Sequence, residues 1–430
     1  MFLPYTGKTI VKYKFYPYNS KNEVSEMVQR IQYIERLRAY RDNKLIKVIT
    51  GMRRCGKSTL LQLLKQDLQV SGVEADHIVD INFELLEYDH IREYVALHKL
   101  LRDRIPKTGK CYLLIDEIQH VIDWEKAVNS LNVESDIDVD IYITGSNAHM
   151  LSSDMATLLS GRYVEIKMLP LSFKEFLLFN HLPVEMGVED KFKRYLEYGC
   201  LPAITTLPQQ DDIIWEALRG IFNTIIVKDI LSRGNSRDIG LLERLVHYVI
   251  ANTGNFVSYN KISGAISSQN KGESIKSSTI ASYLDALEKA YTVYKVNRFD
   301  LKGREQLKTL SKFYVTDTGI RNMLMGHSDS DMGRVLETVV YFELLRRGYQ
   351  VFIGKWYDLE IDFVATRQNM RRYLQVTLSM LDESVRKREI ASLAAIPDNY
   401  EKTILSLDKA FITDHEGIRF QNIIDFLLSD

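Results

Sequence analysis

Short apolar runs and stretches of helical spacing alternate along the first third of the chain. Residues 45–49 form a β-branched apolar run, and similar runs begin the segment 77–89, end at the acidic pair 116–117 and lie within 139–147. Continuous apolar runs of about four to eight residues are typical of strands buried on both faces of a parallel sheet. The pattern therefore predicts an α/β fold built on a parallel sheet.

The rest of the chain predicts further units. Helical spacing follows the α/β part, and three helices then precede two extended, β-rich runs around Lys302-Gly303, which is the pattern of a winged helix-turn-helix. A helix and three strands occupy residues 333–379. The predicted domains, in chain order, are an unassigned N-terminal arm (1–30), an α/β core (31–170), a helical lid (171–235), a winged helix-turn-helix (236–315) and a mixed α/β domain (316–430).

Composition narrows the class of protein. At 430 residues the chain is too long for one ordinary core, and 45% hydrophobic with 26% charged residues is typical of a globular protein. A formal charge of −1 gives no global attraction to nucleic acid, so any basic surface is local. Cys55, Cys111 and Cys200 are too few and too scattered for a disulfide framework or a zinc site. With no long apolar run and no signal-peptide pattern, we expect a cytoplasmic protein without a membrane partner.

The strand at 45–49 leads into a loop that fits the phosphate-binding pattern G-x-x-x-x-G-K-[ST]. Glycines at 51 and 56 allow backbone N–H groups to curl around phosphate oxygens, and the following helix adds its positive dipole end. Lys57 would reach the β- and γ-phosphates of ATP, and the Ser58 hydroxyl would ligate Mg²⁺. The strand-loop-helix order disfavours an unrelated glycine-rich turn. The predicted ATP-binding residues of the loop are Gly51, Met52, Arg53, Arg54, Cys55, Gly56, Lys57, Ser58 and Thr59.

Two arginines of this loop, Arg53 and Arg54, have open roles. Their guanidinium groups would contact phosphate or a partner, or they would simply be solvated on the loop.

Acidic and polar residues follow two further strands. Asp116 and Glu117 end an apolar run, 59 and 60 residues after Lys57. Asp116 would hold Mg²⁺ and Glu117 would polarise the attacking water as general base. Ser146 and Asn147 end the next strand, where a polar side chain can sense the γ-phosphate, and Asn147 is the residue we predict to bind nucleotide. The alternative role for that pair is a helix cap.

These motifs together resemble a known family. GMRRCGKST, YLLIDEIQ, YITGSNAHML and LLSGRYVEIKMLPLSFKEF are similar to the predicted AAA+-superfamily P-loop ATPases of bacteria and archaea. The resemblance covers nearly the whole chain from about Ile31. It implies a P-loop NTPase sheet of the AAA+ type, a winged-helix region and a restriction-endonuclease-like C-terminal domain.

The resemblance also implies a role for Arg162. In AAA+ relatives, the helix after the sensor strand ends in an arginine that reaches the nucleotide of a neighbouring subunit, and Arg162 occupies that place. A guanidinium stabilises charge on the γ-phosphoryl oxygens better than an ammonium does. If Arg162 acts in trans, hydrolysis requires a homo-oligomer. A local salt bridge is the alternative.

The winged-helix segment carries a local positive charge. Between Val257 and Phe313 there are ten Lys/Arg against five Asp/Glu, which would allow contact with DNA phosphates. The charge is modest and interspersed, and winged helices also serve as protein-binding modules. DNA and an unidentified protein partner therefore both remain as predicted partners.

The C-terminal segment is similar to the restriction-endonuclease-like core. Glu337 on a helix, Asp362 on a strand and Gln375 on the next strand match the positions that bind Mg²⁺ for phosphodiester cleavage. Thr377 stands where that motif has a lysine, and a hydroxyl cannot supply the missing positive charge. Glu360 could supply a substitute carboxylate. We therefore expect a degenerate nuclease site rather than active cleavage.

The sequence as a whole predicts a multidomain Mg²⁺-dependent ATPase. Its catalytic residues would be Glu117, Lys57 and Arg162, and its ATP state would bias the winged-helix and C-terminal domains. Two alternatives remain: an ATP-regulated DNA endonuclease, and a non-hydrolysing switch that holds ATP and recruits a protein partner.

Overall fold

Two β-sheets organise the part of the chain that the structure describes. The computed structural model describes residues 30–146, 159, 161–180, 182–231, 238–269, 275–303, 305–326, 328, 331–409 and 414–429, without the side chains of 269 and 307–309. The predicted N-terminal arm lies outside these ranges, except for Arg30. None of the helices within them has both the length and the apolarity of a membrane span.

The strands, in chain order, are β1 (Ile46–Thr50), β2 (Ile78–Asn82), β3 (Lys110–Asp116), β4 (Asp138–Gly145), β5 (Tyr163–Lys167), β6 (Phe256–Val257), β7 (Val293–Asp300), β8 (Glu305–Val315), β9 (Gln350–Trp356), β10 (Leu359–Arg367), β11 (Met370–Val376), β12 (Glu401–Ser406), β13 (Asp414–His415) and β14 (Ile418–Asn422). The α-helices are α1 (Ile31–Ala39), α2 (Lys57–Val70), α3 (Tyr94–Arg104), α4 (Trp124–Val133), α5 (Phe173–Phe179), α6 (Val188–Tyr198), α7 (Pro202–Thr205), α8 (Asp211–Thr224), α9 (Ile239–Ala251), α10 (Tyr259–Gln269), α11 (Ser277–Lys289), α12 (Thr318–Met325), α13 (Met332–Arg346), α14 (Glu383–Ala394) and α15 (Ile423–Leu428). A π-helical turn, Ile225–Leu231, continues α8.

The first sheet is parallel and has the order β2-β3-β4-β1-β5. Its strands are buried on both faces: Val48 packs in the core beneath α3 and α4, and Ile49 packs in the core beneath α1 and α2. Two-sided burial explains the continuous apolar runs of the sequence. The predicted α/β parallel sheet is therefore confirmed, and the carboxyl ends of β1, β3 and β4 face the same edge.

The second sheet is mixed and has nine described strands in the order β13-β14-β12-β11-β10-β9-β7-β8-β6. β7 and β8, the two extended runs that we assigned to the wing, join it because β7 pairs with β9 in parallel, with Arg298 opposite Ile353. The predicted mixed sheet in the C-terminal part of the chain is therefore confirmed. The predicted domain boundaries and the restriction-endonuclease-like identity stay predictions.

The two sheets share one hydrophobic core, which contains residues of α1, α2, α5, α6, β7, α11 and α13. Polar contacts reinforce it. The guanidinium of Arg346 on α13 donates to the backbone oxygens of Pro170 (3.0 Å) and Leu171 (3.1 Å). Asp317 accepts a hydrogen bond from the backbone N–H of Cys200 at 2.7 Å. These hydrogen bonds join residues 170–200 to α13 and to the start of α12, beside the second sheet.

Charged groups lie within this shared region as well. The Lys167 ammonium at the end of β5 lies 4.5 Å from the ring centroid of Tyr294 and 5.0 Å from that of Tyr291, and burial lowers its pKa. Burial raises the pKa of Glu288 on α11 to about 7. The charged groups around Glu288 are Lys295, Asp285, Lys167 and Lys289.

Candidate nucleotide site

The loop between β1 and α2 follows the tight path that its glycines permit. Gly51 has a φ of +147°, and a Cβ atom there would lie 2.2 Å from the backbone oxygen of Met168. Gly56 has a φ of +100° and forms the N-cap of α2. An L side chain rarely adopts these conformations. The result is a loop and a helix N-terminus that together present backbone N–H groups, the arrangement that binds phosphate.

Lys57, the first residue of α2, is buried beneath this loop. Its ammonium donates to the backbone oxygens of Gly51 (3.1 Å) and Met52 (3.2 Å), and it lies 4.0 Å from the Glu117 carboxylate. These contacts hold the cation between the loop and the end of β3. This is the position from which a lysine can neutralise β- and γ-phosphate oxygens.

Asp116 ends β3 beside the start of α2. Its carboxylate accepts a hydrogen bond from the Thr144 hydroxyl, and the Ser58 hydroxyl also lies near it. Burial raises the pKa of Asp116, and those two hydroxyls oppose that effect. A serine hydroxyl and a buried carboxylate are the oxygen donors that Mg²⁺ prefers, so the residues present fit a magnesium ion.

Glu117 lies in the left-handed region, with a φ of 52°, and its side chain is buried. Its backbone N–H donates to the Thr144 hydroxyl at 3.0 Å. One carboxylate oxygen accepts from the Gln119 amide and from the Ser146 hydroxyl, the latter at 3.3 Å. A non-glycine residue in this conformation is uncommon and is held by its surroundings. The fold therefore aims the Glu117 carboxylate towards Lys57 and the loop.

Asp229, on the π-helical turn after α8, enters the site, although the sequence analysis did not single it out. Its carboxylate accepts two hydrogen bonds from the Arg53 guanidinium, at 2.9 and 3.0 Å, and one from the Ser146 hydroxyl at 3.3 Å. The side chain is 1% exposed. Burial alone would lower the pKa of Arg53, but hydrogen bonds and charge from Asp229 raise it. An aspartate within the apolar run IIVKDIL is the one sequence signal that could have indicated it.

The other predicted residues lie in different surroundings. Met52 and Cys55 are buried within the loop, whereas Arg54 and Thr59 are exposed. Arg162 is exposed and its backbone oxygen pairs with the N–H of Ile46. That contact is at the first residue of β1, roughly 15 Å along the strand from the phosphate loop. Arg162 therefore does not join the site of its own chain, and Asn147 lies outside the described residues.

The predicted C-terminal site gathers around a lysine that the sequence analysis missed. The Lys312 ammonium on β8 lies 2.7 Å from a Glu360 oxygen and 3.4 Å from a Glu337 oxygen. Tyr314 also donates to Glu337, at 3.0 Å. Burial alone would lower the pKa of Lys312, but the charges of Glu337, Asp362 and Glu360 raise it. A cation thus reaches the cluster from β8, a strand that the nuclease-like motif does not use.

Asp362 and Gln375 are tied to each other within that cluster. The Gln375 side-chain oxygen accepts from the backbone N–H of Asp362 at 2.6 Å, its amide donates to Glu389 at 2.8 Å, and Asp362 accepts from the N–H of Val376 at 2.8 Å. Burial and the neighbouring Glu337 raise the pKa of Asp362. The carboxylates surround Lys312 rather than one common point. Among the described residues, the trio whose ligand atoms all lie within 4.8 Å of one another is the loop set Glu74, Asp76 and His77.

Comparison with known proteins agrees with the nucleotide site. The model of a family described as an AAA domain matches residues 43–177, and a domain of unknown function matches residues 189–331. The structure is similar to that of the Walker-type ATPase of Pyrococcus abyssi, with a TM-score of 0.50 and 15% identity over 70% of this chain and 96% of that chain. At this identity the likeness concerns the fold. The first sheet with its loop is therefore an AAA-type P-loop ATPase fold.

Two curated relatives are similar over most of their length. An uncharacterized protein of Haemophilus influenzae is 38% identical over 405 residues, which cover 94% of this chain and 99% of that protein. An uncharacterized protein of Methanocaldococcus jannaschii is 32% identical over 380 residues, which cover 84% of this chain and 79% of that protein. The similarity to these two relatives therefore extends over most of this chain.

Proposed function

The chain belongs to the family of these Haemophilus and Methanocaldococcus proteins, and from that premise we propose that it is a Mg²⁺-dependent ATPase whose nucleotide state acts on the second sheet. The observation that carries the proposal is the set of groups around the phosphate loop. Lys57 lies 4.0 Å from Glu117, and Ser58, the next residue of the same helix, lies near Asp116. A phosphate cradle, a cation, an oxygen-donor pair and an oriented carboxylate are the parts that phosphoryl transfer to water needs.

Each side chain has a defined part in the reaction. Ser58 and Asp116 would hold Mg²⁺, which neutralises charge on the phosphates when bound. Lys57 would exchange its backbone-oxygen contacts for β- and γ-phosphate oxygens. Glu117 would orient the attacking water and accept its proton, while the bond between the γ-phosphorus and the bridging oxygen breaks to give ADP and inorganic phosphate. The exposed Arg162 would complete the site of a neighbouring subunit.

The decisive variant is Glu117→Gln, which keeps the shape of the side chain and its contact with Ser146 but removes the base. We expect the variant to bind ATP as the wild type does and to release phosphate at least about 100-fold more slowly, since general-base catalysis contributes on this scale. Asp123→Asn is a matched control, because Asp123 is another acidic residue of positive φ near the same strand end that points to Lys126. Undiminished ATP hydrolysis by Glu117→Gln would show that Glu117 is not the general base.

Phosphate release by the wild type also separates this proposal from a non-hydrolysing switch. The switch predicts tightly held ATP and negligible turnover in the wild type, with or without DNA. DNA that accelerates turnover would support contact through the segment between Val257 and Phe313.

A second candidate function is metal-dependent phosphodiester cleavage by the C-terminal cluster, and Lys312 favours it. The missing motif lysine at position 377 was the reason to expect no cleavage, and the Lys312 ammonium among Glu337, Glu360 and Asp362 offers the same charge from another strand. Mn²⁺-dependent nicking of plasmid DNA, lost in both Asp362→Asn and Lys312→Gln, would support this function. Absence of Mn²⁺ binding by the wild-type chain in a spectroscopic titration would exclude it.

A further inference from the structure

Arg53, Asp229 and Ser146 connect the phosphate loop with the helical lid. Arg53 belongs to the loop, Asp229 to the π-helical turn of the lid, and Ser146 to the end of β4. Asp229 is buried, and its partners come from parts of the chain 176 and 83 residues away. Arg53 is 12% exposed and also donates to Glu84 at 3.3 Å. The pair of Arg53 and Asp229 therefore holds the π-helical turn against the phosphate loop.

The Ser146 hydroxyl lies between two carboxylates. It is 3.3 Å from an oxygen of Glu117 and 3.3 Å from an oxygen of Asp229. A hydroxyl has a single proton to donate, so it can satisfy one of these two acceptors at a time. The proposed general base and the lid carboxylate are thus alternatives for the same donor.

A triphosphate would compete for the other partner of Asp229. Lys57 lies 4.0 Å from Glu117, and the Ser146 hydroxyl lies 3.3 Å from both Glu117 and Asp229, so a γ-phosphoryl group held by Lys57 would lie close to the pair of Arg53 and Asp229. The negative charge of that group attracts the Arg53 guanidinium and repels the Asp229 carboxylate. ADP lacks this group and competes much less.

We propose that Asp229 is a positioning residue through which the lid distinguishes ATP from ADP: the γ-phosphoryl group takes Arg53 from Asp229 and frees the lid turn, and the lid in turn disfavours ATP while the pair is closed. This inference rests on the proposed ATPase function and names its regulation. Coupling of this kind is reciprocal. The free energy by which ATP favours release of the turn equals the free energy by which release of the turn favours ATP binding. The turn continues α8, which packs on α12, the helix that follows β8 of the second sheet.

The test compares Asp229→Asn with wild type and with Asp212→Asn in the full-length chain. Asp212 is an exposed residue in the first turn of α8, so its change removes the same charge from the same lid. The probes are fluorescent ADP and a fluorescent, non-hydrolysable ATP analogue, with Mg²⁺, together with hydrogen exchange of the amides of residues 225–231.

We expect Asp229→Asn to bind the ATP analogue at least about five-fold more tightly relative to ADP than the wild type does, at the low end of usual coupling. Exchange at 225–231 should be fast in this variant with either nucleotide. In the wild type and in Asp212→Asn, the ATP analogue should accelerate this exchange and ADP should not.

Arg53→Gln supplies the second variant, and the sign of its effect separates coupling from mere stabilisation. In Arg53→Gln the amides of residues 225–231 should also exchange faster. The variant should nevertheless bind the ATP analogue more weakly, because the γ-phosphoryl group loses the Arg53 guanidinium. A purely structural pair would move both variants in the same direction, which would overturn the proposal. If the wild type hydrolyses ATP but Asp229→Asn matches it in the affinity ratio and in exchange, the inference fails and the ATPase stands; if the wild type binds neither nucleotide, both fail.

Discussion

Replacing Gly51 by alanine adds a single methyl group at the tightest point of the phosphate loop and so tests the geometry of the loop. The new Cβ would lie 2.2 Å from the backbone oxygen of Met168, and that backbone cannot easily retreat because the Met168 N–H donates to Thr50 at 2.7 Å. The φ of +147° adds strain for any L side chain. Strain of this kind costs about 1–3 kcal/mol, and overpacking a tight contact costs about another 1–3 kcal/mol.

Gly72→Ala is the matched control. Gly72 also has a positive φ, of +91°, but a Cβ there meets nothing within 4 Å. It should therefore show the conformational strain alone, and the two variants should differ by about 1–3 kcal/mol, the overpacking part. Because a chain with two sheets need not unfold in one step, the quantity to compare is the first urea midpoint rather than a total free energy.

The functional readout is affinity for a fluorescent ATP analogue. We expect the affinity of Gly51→Ala for the analogue to fall at least about ten-fold, or 1.4 kcal/mol, because relief of the clash with the Met168 carbonyl would move the N–H groups of the loop. Gly72→Ala should retain the wild-type affinity. Equal midpoints and equal affinities for the two variants would refute the close approach of Met168 and, with it, the reason for glycine at position 51.

Three further predictions concern buried polar groups. Thr144→Val removes two hydrogen bonds at the end of β4, so it should raise the Mg²⁺ concentration needed for half-maximal ATP hydrolysis and lower the stability by about 1–3 kcal/mol. Thr403→Val is the control, because the buried Thr403 hydroxyl has no described partner, and it should change neither the Mg²⁺ requirement nor the stability. Lys312→Met should lower stability by about 3–5 kcal/mol because it strands buried carboxylates, and adding Glu337→Gln should recover part of the loss in urea denaturation; no recovery would mean that the lysine does not neutralise Glu337. Because the pKa of Glu288 is raised to about 7 in the folded chain, protonated Glu288 contributes its full stabilisation below pH 4.5, and this stabilisation, about 3 kcal/mol at most, is lost as the pH rises through 7. In Glu288→Gln the urea midpoint should therefore vary less with pH than it does in the wild type. An unchanged dependence of the midpoint on pH would contradict the assignment to Glu288.

Local signals predicted the elements that bring Lys57, Asp116 and Glu117 together, because these elements are short and contiguous. The strand-loop-helix around Gly56 and the apolar run before Asp116 each fix their own backbone, and the parallel sheet then brings strand ends to one edge. The helices between residues 173 and 224 and the two extended runs at 293–300 and 305–315 were also predictable from the spacing of apolar residues.

Residues that act through distant partners could not be predicted in this way. Asp229 meets Arg53 across 176 positions, and a single aspartate in an apolar helix carries no signal of its partner. Lys312 enters the C-terminal cluster because β7 pairs with β9 and carries β8 with it, a pairing that no local pattern encodes. The sequence analysis noted that Thr377 lacks the positive charge of the motif lysine, and the structure places the Lys312 ammonium of another strand beside Glu337 and Glu360.

Calorimetric titration of MgATP into the wild-type chain and into Lys57→Ala is the most direct measurement of the ATPase account. The lysine ammonium is buried between Gly51, Met52 and Glu117, so its removal takes away a buried cation that contacts the loop. We predict clear binding heat for the wild type and at least ten-fold weaker binding for the variant. No heat with the wild type, or equal affinities for both chains, would contradict the account.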